Sequence, residues 1–268
     1  MNKPEILVVV SDLHCGSVVG LATPSTETEH GNIIGFGKNI HQEWLWDCWC
    51  KMIGEVKSFV KKSPAVLLVN GDATEGVHHR NDADLIASAI ETHTNMAVDC
   101  LNPLLKICAS RLVVKGTECH TRNMENLLAE KIGAVSGKAK DEWLFQINDC
   151  LIEAKHHMGV TSRAYLEASA MSIHMGNARL NRARAGHDIP KVYLRGHRHC
   201  GGYYCDGSGV FGVTGAFQLL TRHGHKVVPD SLPSPTALIL DWRGKKPNSI
   251  PTIHEIKYHV PQPEIQSF

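Results

Sequence analysis

Four short polar strings carry carboxylates and imidazoles at spacings suited to holding metal ions. They are Asp12-Leu13-His14, Gly71-Asp72, His156-His157 and Gly196-His197-Arg198-His199. Each follows a short apolar run rich in β-branched residues (EILVVVS, AVLLVN, LIEA before Lys155, and KVYLR), the pattern of a buried strand feeding a loop. In Asp12-x-His14, and again in His197-x-His199, residues two apart on extended chain point to the same side, so each pair can serve one ion or two adjacent ions. Asp72 follows Gly71 and offers a carboxylate whose two oxygens can bridge ions ~3.5–4 Å apart. Nitrogen and oxygen donors without thiolate suit Mn2+, Fe or Zn2+ better than Mg2+ alone. Such donors, delivered from several strand ends to one sheet edge, are the ingredients of a two-metal hydrolytic centre.

The elements that must position these donors are legible around them. Residues 5–12 read as the first strand. From Cys15 to Asn39 the chain is rich in Gly, Thr and Ser without sustained period, a long loop of the functional or disordered kind close to the Asp12 string. Leu45, Trp49, Met52, Val56 and Phe59 fall on one stripe of a helix over 41–61, stopped by Ser63-Pro64. AVLLVN follows as a strand, then a helix over 82–109 with Asp82 or Asn81 as its cap. The strand 111–115 ends at Gly116-Thr117-Glu118-Cys119-His120, and a third helix runs near 123–132. Residues 144–155 hold one or two strands, and a fourth helix over 162–185 ends at Gly186, a residue type favoured just past a helix C-terminus. Two strands then flank the turn Cys205-Asp206-Gly207-Ser208-Gly209, and others follow near 236–242 and 252–260. Strands that first alternate with helices and later come as hairpins predict an α/β fold. It is expected as a single domain over 1–268, with two sheets inside and helices outside, and with 15–40 as a long loop near the site.

At 268 residues and 43% apolar, the chain can bury a large core. A net charge of +1, with 17 histidines uncounted, gives no general drive toward nucleic acid or membrane, so any polyanion site must be local. No apolar run approaches the roughly 18–20 residues of a membrane span. EILVVV is too short for a signal segment and leads straight into Asp12, so a cytoplasmic location is expected. Nine cysteines, an odd number, point to reduced thiols, and Cys15, Cys119 and Cys200 beside the donor strings read as structural.

Taken together and in order, the strings resemble the signature of the calcineurin-like metallophosphoesterases: Asp-x-His, Gly-Asp, Gly-Asn-His, a later His, and Gly-His-x-His. The match is Asp12/His14, Gly71-Asp72, Gly116 onward, His156 or His157, and Gly196-His197-x-His199, over residues 5–199. The resemblance implies a two-sheet sandwich flanked by helices and two divalent ions, Mn2+ before Fe or Zn2+. It implies Asp12, His14, Asp72 and His199 on one ion, and Asp72, His197 and His156 on the other, with His156 preferred to His157. His157 and Arg198 are then left to meet substrate. The family's reaction is attack on phosphorus by a hydroxide that bridges the metals, so the resemblance implies a hydrolase of phosphate esters, here expected to be a phosphodiesterase. The alternatives are a nuclease acting on DNA or RNA and a non-catalytic scaffold of the same fold.

One string departs from the family pattern. Where the family has Gly-Asn-His, this chain has Gly116-Thr117-Glu118-Cys119-His120, a form that resembles phosphoesterase-like proteins of bacteriophages and prophages. His120 is therefore a catalytic candidate in one of two roles, second-metal ligand or proton donor to the leaving alkoxide. His78 and His79 are candidate substrate contacts. Trp44 and Trp46 lie off the helix stripe, where they either pack or stack on bases. Arg179, Arg182 and Arg184, with Arg222, His223, His225 and Lys226, form the candidate groove for a nucleic-acid backbone.

Overall fold

The computed structural model describes residues 3–78, 82–121, 124–159, 166–227 and 232–262. In chain order its elements are β1 (Ile6–Val10), β2 (Thr26–Glu27), β3 (Ile33–Ile34), α1 (Ile40–Val60), β4 (Ala65–Asn70), α2 (Ile90–Ile107), β5 (Ser110–Val114), α3 (Glu118–Thr121), α4 (Met124–Lys131), β6 (Glu142–Ile147), β7 (Cys150–Lys155), α5 (Glu167–Arg184), β8 (Val192–Arg195), β9 (Gly202–Cys205), β10 (Val210–Val213), α6 (Arg222–Val227), β11 (Thr236–Asp241) and β12 (Thr252–Lys257). One five-stranded sheet has the order β12-β11-β1-β4-β5 and the other β6-β7-β8-β10-β9.

The strand period of two decides how these sheets stack. Leu7 and Val9 of β1 point inward with Val66, Leu68, Leu112 and Val114, and meet Ile152, Ala154, Val192 and Leu194 of the second sheet. Ile6, Val8 and Val10 point the other way, under Leu45, Trp49 and Met52 of α1 and Met96, Leu101 and Leu104 of α2. On the far side, Met171 and Met175 of α5 cover Tyr193, Phe211 and Val213. The result is a two-sheet α/β sandwich with helices on both outer faces, as expected, and both faces of β1 are covered, so all five of its residues are buried.

Three expectations need correction or refinement. The helix expected from 82 starts at Ile90, because the backbone of 84–86 is taken by the loop after β1: Val18 N–H donates to Asp84 O and Ile86 N–H to Gly16 O. Of its two proposed caps, Asn81 lies outside the described residues, as does the expected start of the fourth helix at Ser162. The stretch 15–39 is tied down, with Leu21 and Ala22 fully buried, β2 paired with β3, and the Asn39 amide donating to Val18 O. Residues 144–155 resolve into the β6–β7 hairpin. Among the described residues no helix is long and apolar enough to cross a membrane.

Beneath α5 the second sheet carries a charge network that no apolar pattern announces. Glu153 on β7 is buried and accepts Arg182 Nε–H at 2.9 Å and Arg195 Nη2–H at 2.5 Å. Burial alone would push its carboxyl up, but Arg195 and Arg182 outweigh burial and leave it below the ordinary 4.5. Its contribution is therefore fully present above pH 4.5 and is lost as pH falls through the lower folded value. Glu153→Gln is expected to cost on the order of 3 kcal/mol at pH 7, because it leaves two guanidinium groups short of a partner. Urea unfolding of both forms should show the gap narrowing below pH 4.5, and a gap independent of pH would contradict this account.

A candidate dinuclear metal site

β1 runs parallel to β4, and β7 parallel to β8, so each pair delivers its following loop to the same edge of its sheet. Asp12, Asp72, His156 and His197 each lie one or two residues past those strand ends. The sandwich brings the two edges together, and the six expected donors converge there. His156 Nε2 is 2.9 Å from Asp72 Oδ2 and 3.8 Å from Asp12 Oδ1. His199 Nε2 is 3.7 Å and His14 Nε2 4.0 Å from Asp12 Oδ1, and the two imidazole nitrogens are 3.2 Å apart. The rings of His156 and His197 are 5.4 Å apart, centre to centre. Donors that share one ion with bonds near 2.1 Å sit roughly 3–3.5 Å from each other, so a divalent cation fits this set with small adjustments.

The convergence does not come from extended backbone, and the same-side argument made for Asp12-x-His14 and His197-x-His199 is corrected here. Asp12, His14, Asp72, His197 and His199 all have left-handed φ, between 46° and 71°. Non-glycine residues held there cost of order 1–3 kcal/mol each and persist only when their surroundings fix them. Asp12 N–H donates to Gly71 O, His14 N–H to Asp72 O, and Phe217 N–H to Asp12 O, each at 3.0 Å. His197 N–H donates to both Asp12 carboxylate oxygens at 3.1 Å. Two glycines are required by close approach: a Cβ at Gly71 (φ 89°) would strike His156, and one at Gly116 would overlap the Asp72 carboxylate.

The electrostatics are those of a dry pocket. Burial raises the Asp12 carboxyl above its ordinary value, opposed by His156. Burial acts on Asp72 too, but His156 and its hydrogen bond hold that carboxyl well below the usual range. The protein packed around His199 brings it down to about 3 with help from His14, and burial plus His156 bring His197 to about 4. Both are therefore neutral imidazoles with lone pairs at pH 7, the state a ligand needs. His156 goes the other way: burial lowers it, but Asp72 and Asp12 push it up to about 10. A proton there stands in for a cation between two carboxylates, and a bound ion would displace it.

Several residues that hold the donors escaped the sequence reading. Glu75, 3% exposed, accepts from His14 Nδ1 at 2.9 Å and from the Gln218 amide at 2.9 Å, which fixes the His14 tautomer and aims Nε2 inward. His14 and His78 keep the Glu75 carboxyl far below its usual range despite burial. The Asn70 carbonyl does the same for His156 through Nδ1 at 2.7 Å. Buried Glu125 accepts Gly116 N–H at 2.8 Å and Asp72 N–H at 3.0 Å, and burial with the Asp72 charge pushes it up to about 8. None of these roles has a local signal in the sequence.

The remaining candidates fall on different sides of the pocket. His120 stands edge-on to His14, with ring centres 4.8 Å apart, and its Nδ1–H donates to Glu75 O at 2.9 Å. The side of Asp72 and His197 is met instead by Thr117, whose N–H donates to Asp72 Oδ1 at 2.6 Å and whose hydroxyl is 3.2 Å from His197 Nδ1. His157 is exposed, its ring 4.7 Å from that of His197. Arg198 is turned toward α5, with Nη2 3.1 Å from Glu167, so substrate contact would require that pair to open. Arg182 is committed to Glu153 and Glu142, Arg179 to Ser208, and Arg222 lies 3.2 Å from Asp84. Trp44 and Trp46 pack against the core. Most of the groups that pointed to nucleic acid are thus otherwise engaged. Cys15 is a core thiol 4.0 Å from Cys100, and His79 lies outside the described residues.

No family model and no curated protein matches the chain. Among solved structures it is similar to a novel archaeal phosphodiesterase, at 12% identity over 94% of this chain and 99% of that one, with a TM-score of 0.44. It is also similar to wild-type Vps29 of Entamoeba histolytica complexed with Zn2+, at 12% identity over 94% and 98% of the two chains, TM-score 0.40. A predicted phosphoesterase of Streptococcus pneumoniae gives 13% identity over 96% and 99%, TM-score 0.35. Likenesses of this degree carry no argument about this chain.

Because Glu75 orients His14, its removal should be felt at the ion and not at the fold. Glu75→Gln is expected to weaken Mn2+ binding roughly 10–100-fold in calorimetric titration. An unchanged affinity would mean that His14 is held without it.

Proposed function

We propose that this chain is a metal-dependent phosphoesterase that hydrolyses phosphodiesters with two divalent ions, Mn2+ in the first instance. The observation that carries it is the convergence of Asp12, His14, Asp72, His156, His197 and His199 from four strand ends on one pocket, the first four of them buried. Asp12, His14, Asp72 and His199 would hold one ion, and Asp72, His156 and His197 the other. When bound, such a pair acts as a Lewis acid on phosphoryl oxygens and makes water a nucleophile at neutral pH.

The chain's own groups supply orientation and proton handling. Thr117 fixes both oxygens of Asp72, while Glu75 and the Asn70 carbonyl fix the tautomers of His14 and His156. His120 gives its Nδ1–H to a carbonyl, which leaves Nε2 to carry a proton to the departing alkoxide. Its place beside His14 and Glu75, with Thr117 on the Asp72–His197 side, favours the proton-donor role over that of second-metal ligand. His157 at the mouth is the group free to meet substrate. With Arg198 turned to Glu167, an imidazole and not a guanidinium greets the phosphate, which suits the single charge of a diester better than a monoester dianion.

Hydrolysis of bis-p-nitrophenyl phosphate should be abolished by chelation, restored by Mn2+, and exceed that of the monoester. Asp72→Asn should slow it at least ~100-fold. A chain that binds no metal, or whose rate is indifferent to Asp72→Asn, would be the non-catalytic scaffold instead. A panel of single-stranded DNA, duplex DNA, RNA, cyclic nucleotides and phosphopeptides then identifies the substrate class, and preference for the peptides would count against a diesterase. His120→Ala should leave both ions bound and slow alkyl diesters by ~10²–10⁴-fold, with p-nitrophenyl esters hardly affected because their leaving group needs no proton. Loss of one ion in that variant would make His120 a ligand.

A further inference from the structure

We infer that His78, Cys119 and His120 form a third cation site, one that takes a thiophilic divalent ion of the Zn2+ class and withdraws His120 from proton transfer when filled. One donor atom from each of the three lies within 4.8 Å of the other two, and none of the three belongs to the six-donor set of the main site. The rings of His78 and His120 are 4.4 Å apart and nearly perpendicular. All three side chains are partly exposed at the edge of the pocket.

Glu75 links this cluster to the main site. His120 Nδ1 is 2.9 Å from the Glu75 carbonyl and His78 Nε2 is 3.1 Å from its carboxylate, both acceptors. The Glu75 acceptors draw a proton onto the nitrogen that faces them in each ring and so set the tautomer of both imidazoles, as partners of metal-binding histidines do. Thr74 and His120 also touch, hydroxyl to carbonyl at 3.5 Å, so the loops bearing the donors are held side by side. Two imidazoles and one thiolate leave a fourth position open, as three-ligand zinc sites do. Bonds near 2.0–2.3 Å put tetrahedral donors ~3.5 Å apart, so the side chains need to close by about 1 Å.

The donor chemistry separates this site from its neighbour. The main set offers only nitrogen and oxygen, which Mn2+ accepts, whereas a thiolate selects Zn2+ or Cd2+ over Mn2+. An ion on His120 occupies the lone pair that would otherwise take up and deliver a proton. That inhibitory consequence rests on the proton-donor role proposed above for His120; the site itself does not.

The test uses Cd2+ as the probe, added to the full chain loaded with Mn2+, with the ultraviolet thiolate-to-metal charge-transfer band as readout. One equivalent of band intensity should appear in the parent chain and be missing in Cys119→Ser. His78→Ala should weaken that step at least ~10-fold, and Asp72→Asn should leave it intact. Absence of a band, or a full band in Cys119→Ser arising from the other thiols, overturns the site. In the activity arm, Zn2+ should slow alkyl-diester hydrolysis by the Mn2+-loaded parent, while Cys119→Ser keeps its own zinc-free rate. Zinc inhibition that persists in Cys119→Ser refutes the silencing role. A Cys119-dependent band in a chain that hydrolyses no ester leaves the site standing and removes the phosphoesterase reading.

Discussion

Keeping two buried carboxylates partnered by the imidazoles around them is the demand around which this molecule is organised, and Asp12 is where it concentrates. That side chain is fully buried, yet it accepts two hydrogen bonds from the His197 backbone and one from Ser11, and faces His14, His156 and His199. An unpaired charge at that depth would neutralise itself or disrupt the core. Two helix-covered sheets exclude the water, and the strand ends supply the compensating groups. The apolar layers and the polar pocket are one design, since the same strands end in both.

Strain is the second part of that design. Five of six donors sit in left-handed backbone, and the unfavourable conformations are held by bonds that run between the loops themselves. Asp12 leans on Gly71, His14 on Asp72, and His197 on Asp12. Around them stand Glu75, Glu125 and Asn70, which never touch the centre of the pocket but decide which atom each donor presents there. The pocket is braced because each loop is another loop's partner.

The strands and donors were readable because their signal is local: an apolar β-branched run stops, and a carboxylate or imidazole follows. The layered fold was readable for the same reason. What the residues could not announce depends on partners far away in the chain. Glu75 becomes a positioning group only beside His14 and Gln218, 61 and 143 residues from it. The start of α2 moved to Ile90 because a loop 68 residues earlier claims the backbone at 84–86. The expected same-side geometry of Asp12 and His14 failed because alternation belongs to strands, and both residues lie past the strand, where the loop turns. Arg182 and Arg198 read as free cations until the fold gave them Glu153 and Glu167.

The split origin of the donors has a consequence for how the chain matures. Asp12, His14 and Asp72 come from loops of one sheet, and His156, His197 and His199 from loops of the other, which lie far along the chain. Neither half alone brings more than three of the six side chains together. If the pocket takes the ions proposed above, their capture would report the assembled sandwich, because a half-folded chain brings together only one sheet's share of the six side chains.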